Sequence, residues 1–236
     1  MSTLVLFSGG LDSAVLAAHE AQGASIQPVY VSVGLAWESA ELAIVERLLA
    51  APVFAGTLSP LAQVAFTMRD VYPPTHWAIQ GMPPAYDTPD HDVYLTGRNL
   101  VLLTKAAVLA TVTGAHRIAL GPLAGNPFPD ARPDFFSAMA LALSLGLDHH
   151  LEIATPFLAW DKARVIRRGV DLQVPLDLTL SCMQPVAGRE LPVHCGRCSK
   201  CRERREAFAR AGVTDPSAYA NRSPRVLDRD FVRGDV

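Results

Sequence analysis

The chain carries little charge and no surplus of either sign. Of its 236 residues 19% are charged, and the formal net charge is −2. That leaves no basic excess of the kind a nucleic-acid partner requires. Long apolar runs are also missing. Half of the residues are hydrophobic, yet no uninterrupted stretch approaches the roughly 18 residues a membrane helix needs, so no membrane partner is expected. Cysteine is confined to four residues between Cys182 and Cys201, whereas secreted disulfide domains spread their cysteines along the chain. The first apolar run begins at Leu4 and leaves no room for a signal peptide. Together these absences predict a cytoplasmic protein with one sizeable core and at most a small appendage.

What is present begins at once. Leu4-Val5-Leu6-Phe7 reads as a buried strand, Ser8-Gly9-Gly10-Leu11-Asp12-Ser13 follows, and a helix continues from Ala14. A strand, a glycine turn and a helix N-terminus make an anion site, because first-turn amides lack intrahelical partners. Gly9 and Gly10 let the backbone approach a phosphate closely, and Ser8 and Ser13 add hydroxyls. Asp12 suits a cation or a backbone amide better than a bare phosphate. The plainer reading is an ordinary turn with Asp12 or Ser13 as N-cap. No lysine follows the glycines, so this is not the P-loop pattern. The hexapeptide resembles the pyrophosphate loop of the ATP pyrophosphatase superfamily, which implies ATP as ligand.

Further along, residues 26–33 read as a second strand, 39–49 as an amphipathic helix and Val53–Leu58 as a third strand. Alternation of strand and helix implies a doubly wound parallel sheet. Residues 59–96 break the rhythm with many prolines and suit a lid, a dimer contact or a surface excursion. Gly97-Arg98-Asn99 opens a helix to Thr113, residues 117–120 form a strand, and residues 134–145 a helix. The loop carrying Asp130 and Arg132 then falls where an open parallel sheet places ligands, although a turn salt bridge between the two is the simpler account. Residues 151–153 give another strand. Lys162 opens the next helix against the helix dipole, which suggests an anion there.

Cys182 and the run Cys195-Gly196-Arg197-Cys198-Ser199-Lys200-Cys201 have the spacing of a tetrahedral four-cysteine zinc site, structural because no coordination position stays open. An iron–sulfur cluster and a redox dithiol are the rivals. A helix from Arg202 to Ala211 follows, and His194 is a bystander. The expected organisation is an α/β unit over residues 1–180 and a small zinc-binding helical extension over residues 181–236.

The loop and the cysteine site together resemble the 7-cyano-7-deazaguanine synthase family. Gly97-Arg98-Asn99, Pro129-Asp130-x-Arg132, Asp161-Lys162-Ala163, Ser181-Cys182 and Glu206-Ala207-Phe208 fall in the family's order. The resemblance implies an ATP pyrophosphatase fold, with ATP, Mg²⁺ and Zn²⁺ as cofactors. It implies phosphates on Ser8, Gly9, Gly10, Leu11, Asp12 and Ser13, and catalysis by Asp12, Lys162 and Arg98. Substrate would contact Arg98, Asn99, Asp130 and Arg132, and the metal would bind Cys182, Cys195, Cys198 and Cys201. The implied reaction turns 7-carboxy-7-deazaguanine and ammonia into the nitrile, in a homodimer. Ala14-Val15 replaces the threonines that commonly follow the loop serine, and two longer stretches depart from the pattern. Val33–Glu38 stands where the family carries tyrosine, glycine, glutamine and a basic residue. Ala124–Phe128 stands where it carries Asp-Tyr/Phe-Ser-Gly-Tyr. A divergent member acting on another deazapurine or acceptor, as in DNA modification or defence systems, is the alternative, and a tRNA sulfur- or nitrogen-transfer enzyme is a further one.

Overall fold

The computed structural model describes residues 2–222. The tail of the expected zinc-binding unit, 223–236, lies outside the described residues. The first strand, β1 (Ser2–Leu6), leads into α1 (Leu11–Glu20), and the rest of the chain builds outward from that pair. In order follow β2 (Ser25–Ser32), α2 (Glu38–Leu49), β3 (Ala62–Ala65), α3 (Trp77–Gln80), α4 (Arg98–Thr113), β4 (Arg117–Ala119), α5 (Pro133–Leu147), β5 (Glu152–Ala154), α6 (Lys162–Asp171) and α7 (Ser199–Ala211). The five strands are parallel in the order β3-β2-β1-β4-β5. This is the doubly wound sheet expected from the alternating pattern. No helix among the described residues is long and apolar enough to cross a membrane.

The strand interiors are apolar because both faces are covered. On one side α1 packs on α6 and α6 on α7; on the other, α4 lies across β1, β2 and β4 and packs on α5. Leu4, Val5 and Ile118 are fully buried in the sheet, while Leu103, Ala106, Ala107 and Ala110 are fully buried on α4. Three alanines on one face let α4 sit close to the strands, and each fully buried leucine contributes about 1.5–3 kcal/mol.

The third strand is a correction. Val53–Leu58 is a run of turns, and β3 begins at Ala62. Phe54 leaves strand geometry to insert its ring edge-on against Phe7, 5.9 Å between centroids. Phe54 and Ala55 then bond back to the Ala51 carbonyl, and the Thr57 hydroxyl donates to the carbonyls of Val53 and Phe54. Leu58 keeps one isolated bridge to Ile26. The true edge strand, Ala-Gln-Val-Ala, is only half-buried, so its apolar period is too faint to read.

α7 starts at Ser199, earlier than the expected Arg202, so Cys201 is already helical. A buried arginine ties this helix to the segment that follows α6. Arg204 is fully buried, and its guanidinium donates to the Leu176 carbonyl (2.7 Å), Thr179 Oγ1 (2.9 Å), Ser181 Oγ (3.0 Å) and Ser217 Oγ (2.7 Å). A buried cation is costly unless its donors are met in this way. The segment it gathers also bonds the glycine turn, through Leu180 N–H to the Gly9 carbonyl at 2.9 Å.

Candidate active site

A cleft of about 530 Å³ opens where β1 and β4 end. These neighbouring strands send their connections in opposite directions, the place where open parallel sheets bind ligands. Behind its floor, Gly9 has φ +74°, and a Cβ there would lie 3.1 Å from Ile44 Cγ2 and 3.3 Å from the Glu41 carbonyl oxygen. Both the conformation and the packing therefore require glycine. Gly10 is the N-cap of α1 and no side chain caps it. The first helical bond is Ala14 N–H to the Gly10 carbonyl, which leaves the amides of Leu11, Asp12 and Ser13 without intrahelical partners. The Ser8 and Ser13 hydroxyls stand 3.3 Å apart beside them.

Lys162 reaches this floor from the first residue of α6, whose N-cap Asp161 accepts from Arg164 N–H at 2.7 Å. Its Nζ lies 3.1 Å from Asp12 Oδ2 and 2.6 Å from Glu203 Oε1. Burial alone would lower the lysine's pKa, but the charges of Asp12 and then Glu203 outweigh it and hold the ammonium above its ordinary range. Asp12 Oδ1 is buried with no hydrogen-bond partner among the described residues. The uncapped amides suit an anion, and the open carboxylate oxygen beside them suits a hard divalent cation that accompanies it, so Asp12 fits Mg²⁺.

The far wall of the cleft comes from β2, α2, α3 and the start of α4. Glu41 is buried; its Oε2 accepts from the Tyr30 hydroxyl at 2.8 Å and its Oε1 from Trp37 Nε1 at 3.1 Å. Burial pushes its pKa up to about 7, against the pull of the Arg98 charge. Arg98 Nε is buried without a partner among the described residues. Asn99 clamps the start of α4 to the loop after β4, with its N–H donating to Asp130 Oδ2 (3.1 Å) and its side chain to the Asp130 carbonyl (2.9 Å). Burial raises the Asp130 pKa, opposed by the Asn99 hydrogen bond.

Of the residues singled out from sequence, Ser8, Gly10, Leu11, Asp12, Ser13, Arg98, Asn99, Asp130 and Lys162 line one cleft. Arg132 does not. It is the N-cap of α5 and is exposed, and no ion pair to Asp130 forms among the described residues. Glu41, Tyr30, Lys200 and Glu203 line the cleft and were not anticipated. The two divergent stretches are both built into its wall. Glu38 folds back to accept from Ser32 Oγ (2.6 Å) and from Val33 and Gly34 N–H (2.8 and 2.9 Å). Trp37 stacks on Trp77 of the proline-rich segment, 5.8 Å apart and 10° from parallel, and Phe128 stacks on Tyr94.

The four cysteines form a second centre. All four Sγ atoms lie within 4.8 Å of one another and are buried. The separations are 3.9 Å for Cys182–Cys198, 3.9 Å for Cys195–Cys201 and 3.5 Å for Cys198–Cys201. Four sulfurs around one zinc at about 2.3 Å would stand about 3.8 Å apart, so the set fits a tetrahedral ion. Gln184 and Cys195 N–H donate to Cys182 Sγ, and Arg197 N–H to Cys195 Sγ, each at 3.3 Å. His194 turns away and accepts from Ser181 N–H at 3.1 Å, held neutral by burial and by Arg204, its pKa lowered to about 3.

A protein-family profile described as queuosine biosynthesis protein QueC matches residues 2–212. The chain is 37% identical over 231 residues to a 7-cyano-7-deazaguanine synthase of Anaeromyxobacter dehalogenans, covering 92% of this chain and 95% of that protein. It is 37% identical over 234 residues to the same enzyme of Azoarcus sp., covering 93% and 97%. To that of Methanopyrus kandleri it is 31% identical over 242 residues, covering 92% and 98%.

Proposed function

The chain belongs to the QueC family of queuosine biosynthesis proteins, and from that premise we propose that it is an ATP-dependent carbon–nitrogen ligase making 7-cyano-7-deazaguanine. The observation that carries this reading is the pair Asp12–Lys162, 3.1 Å apart at the uncapped N-terminus of α1. The β- and γ-phosphates of ATP lie on the Ser8–Ser13 turn, where Asp12 would hold a Mg²⁺ that would supply countercharge to them. The carboxylate of 7-carboxy-7-deazaguanine attacks the α-phosphorus, and the bond to pyrophosphate breaks. Lys162 and Arg98 meet the charge that develops there. Ammonia then adds to the acyl carbon, AMP leaves, and a proton passes to solvent. A second ATP activates the amide oxygen, whose departure with AMP and loss of two N–H protons leaves the nitrile.

The acceptor base lies against Trp37 and Trp77, with Asn99 and Asp130 at its side. A guanine-like edge offers two adjacent N–H donors, and ionised Glu41 supplies the matching acceptors. We place the α/β unit with the phosphate turn in residues 1–180 and the zinc-binding unit, which lends Lys200 and Glu203 to the cleft, in residues 181–236. Two chains pair through the exposed apolar residues Val108 and Val112 of α4 and Leu141 and Leu145 of α5. A monomeric mass by light scattering removes the pairing alone.

The test is product analysis with ATP, Mg²⁺, 7-carboxy-7-deazaguanine and ammonium. AMP, pyrophosphate and the nitrile are the expected products; absence of any ATP cleavage overturns the ligase. Glu41→Gln raises KM for the acceptor about 10–100-fold, the size of a lost charged hydrogen bond. In the parent enzyme acceptor KM falls as pH rises through about 7, because ionised Glu41 accepts both donors; the variant loses that dependence. The fold responds with the opposite sign. A carboxyl whose pKa is raised on folding stabilises most below its unfolded value and loses that stability as pH climbs to about 7.

AMP without the nitrile would favour a related acceptor. The closing of Val33–Gly34 on Glu38 supports that second reading, since it gives the pocket wall a shape of its own.

A further inference from the structure

The chain contains three lysines, Lys105, Lys162 and Lys200. A single carboxylate holds two of them. Glu203 Oε1 lies 2.6 Å from Lys162 Nζ, and Glu203 Oε2 lies 2.6 Å from Lys200 Nζ. The three side chains are 22%, 10% and 26% exposed for Glu203, Lys162 and Lys200, so these are shielded contacts and not the loose surface pairs that contribute little. With Asp12 on the other side of Lys162, the charges alternate as Asp12, Lys162, Glu203, Lys200 and sum to zero.

The two carboxylates differ in what they have to spare. Both Glu203 oxygens are engaged, one by each lysine. Asp12 has a buried oxygen with no partner among the described residues and is therefore the one able to turn to a cation. Once it does, Lys162 keeps Glu203 as its only counter-charge among the contacts described. A lysine has four flexible side-chain torsions, and without that tether the ammonium would follow the cation's ligand or move to solvent. Glu203 reaches the site because it is on α7, two residues after Cys201 and one before the fully buried Arg204. The cysteine centre and the arginine fix the helix, and the helix fixes the carboxylate.

We propose that Glu203 is the positioning residue of this site, holding Lys162 at the start of α1 when Asp12 is engaged by a cation and setting Lys200 beside it as a second cation for the nucleotide phosphates. The inference rests on the proposed ATP-dependent reaction and adds to it a link from the cysteine-bearing helix to the reacting end of the cleft.

Two substitutions and two independent readings test it. Glu203→Gln keeps the size and removes the charge; Glu203→Asp keeps the charge on a shorter arm. The first reading is acetylation of lysines by acetic anhydride, followed by peptide mass spectrometry with Lys105 as internal reference. Acylation needs the free amine, and a neighbouring carboxylate disfavours it. Lys162 in Glu203→Gln is expected to label about 10-fold faster relative to Lys105 or more, with zinc content and melting temperature held. The second reading is AMP formation. Loss of positioning lowers kcat by about 10–100-fold, while KM for ATP stays constant or falls, because a negative charge has left an anion site. Glu203→Asp recovers much of both. Unchanged Lys162 labelling overturns the proposal, and so does a parallel loss of kcat, ATP affinity and melting temperature, which marks a merely structural glutamate. Should the parent protein cleave no ATP, the ligase reading fails on that result, and the labelling arm still decides whether Glu203 governs Lys162.

Discussion

Lys162→Met is expected to abolish measurable AMP formation, by about 100–1,000-fold in kcat, with a smaller change in nucleotide affinity. Among the described residues the ammonium is the one cation paired with Asp12, at the place where the proposed mechanism gathers negative charge. Preorganised charge of this kind acts mainly in the transition state, so its removal falls on kcat. Methionine matches the length of the stem and leaves little void. The fold pays a modest penalty only, because Asp12 and Glu203 remain partly solvated. Lys162→Arg is expected to bind ATP yet remain slow, since a planar fork cannot occupy the slot of a compact ammonium between two carboxylates. Rapid-quench measurement of AMP in a single turnover separates this effect from product release. A kcat within tenfold of the parent protein would remove Lys162 from the mechanism.

The floor of the site was legible in the sequence because its signals are local. Gly9 is required by a positive φ and by contacts with α2, and a six-residue pattern records both. The cysteine spacing is similarly short-range. The opposite wall was not legible. Glu41 looks like one more acidic residue on an amphipathic helix, and only the fold brings Tyr30 and Trp37 onto its two oxygens. Glu203 could be seen as an i,i+3 partner of Lys200, but its second oxygen meets a lysine 41 residues away in sequence. Tertiary contacts of that kind leave no periodic trace. Arg132 illustrates the converse: its spacing from Asp130 suggested a shared role, while the turn at Pro129–Ala131 buries Asp130 and leaves Arg132 outside the cleft. The third strand was misread for a packing reason, since Phe54 fills the core from a turn.

Cys182→Ser is expected to lose stoichiometric zinc and to lower the melting temperature by about 10 °C or more. A structural zinc site supplies its binding energy to the folded state, and for a chain of this size each kcal/mol corresponds to about 2–4 °C. A lost ligand worth about 3–5 kcal/mol therefore gives a shift of this order. The functional loss should run ahead of the global one. Cys182 follows the segment that Arg204 gathers and that bonds Gly9, while Cys201 lies inside the helix that bears Lys200, Glu203 and Arg204. Releasing the metal loosens both attachments of the phosphate end, whereas β1, β2 and α4 keep their own core. Treatment of the parent protein with a chelator should accordingly abolish ATP binding at temperatures where far-ultraviolet circular dichroism still reports the sheet, and added Zn²⁺ should restore it. Elemental analysis showing no zinc in the freshly purified protein would sink this account, as would a Cys182→Ser variant with an unchanged melting curve. An iron–sulfur chromophore in the same preparation would redirect it to the rival metal on the same four sulfurs.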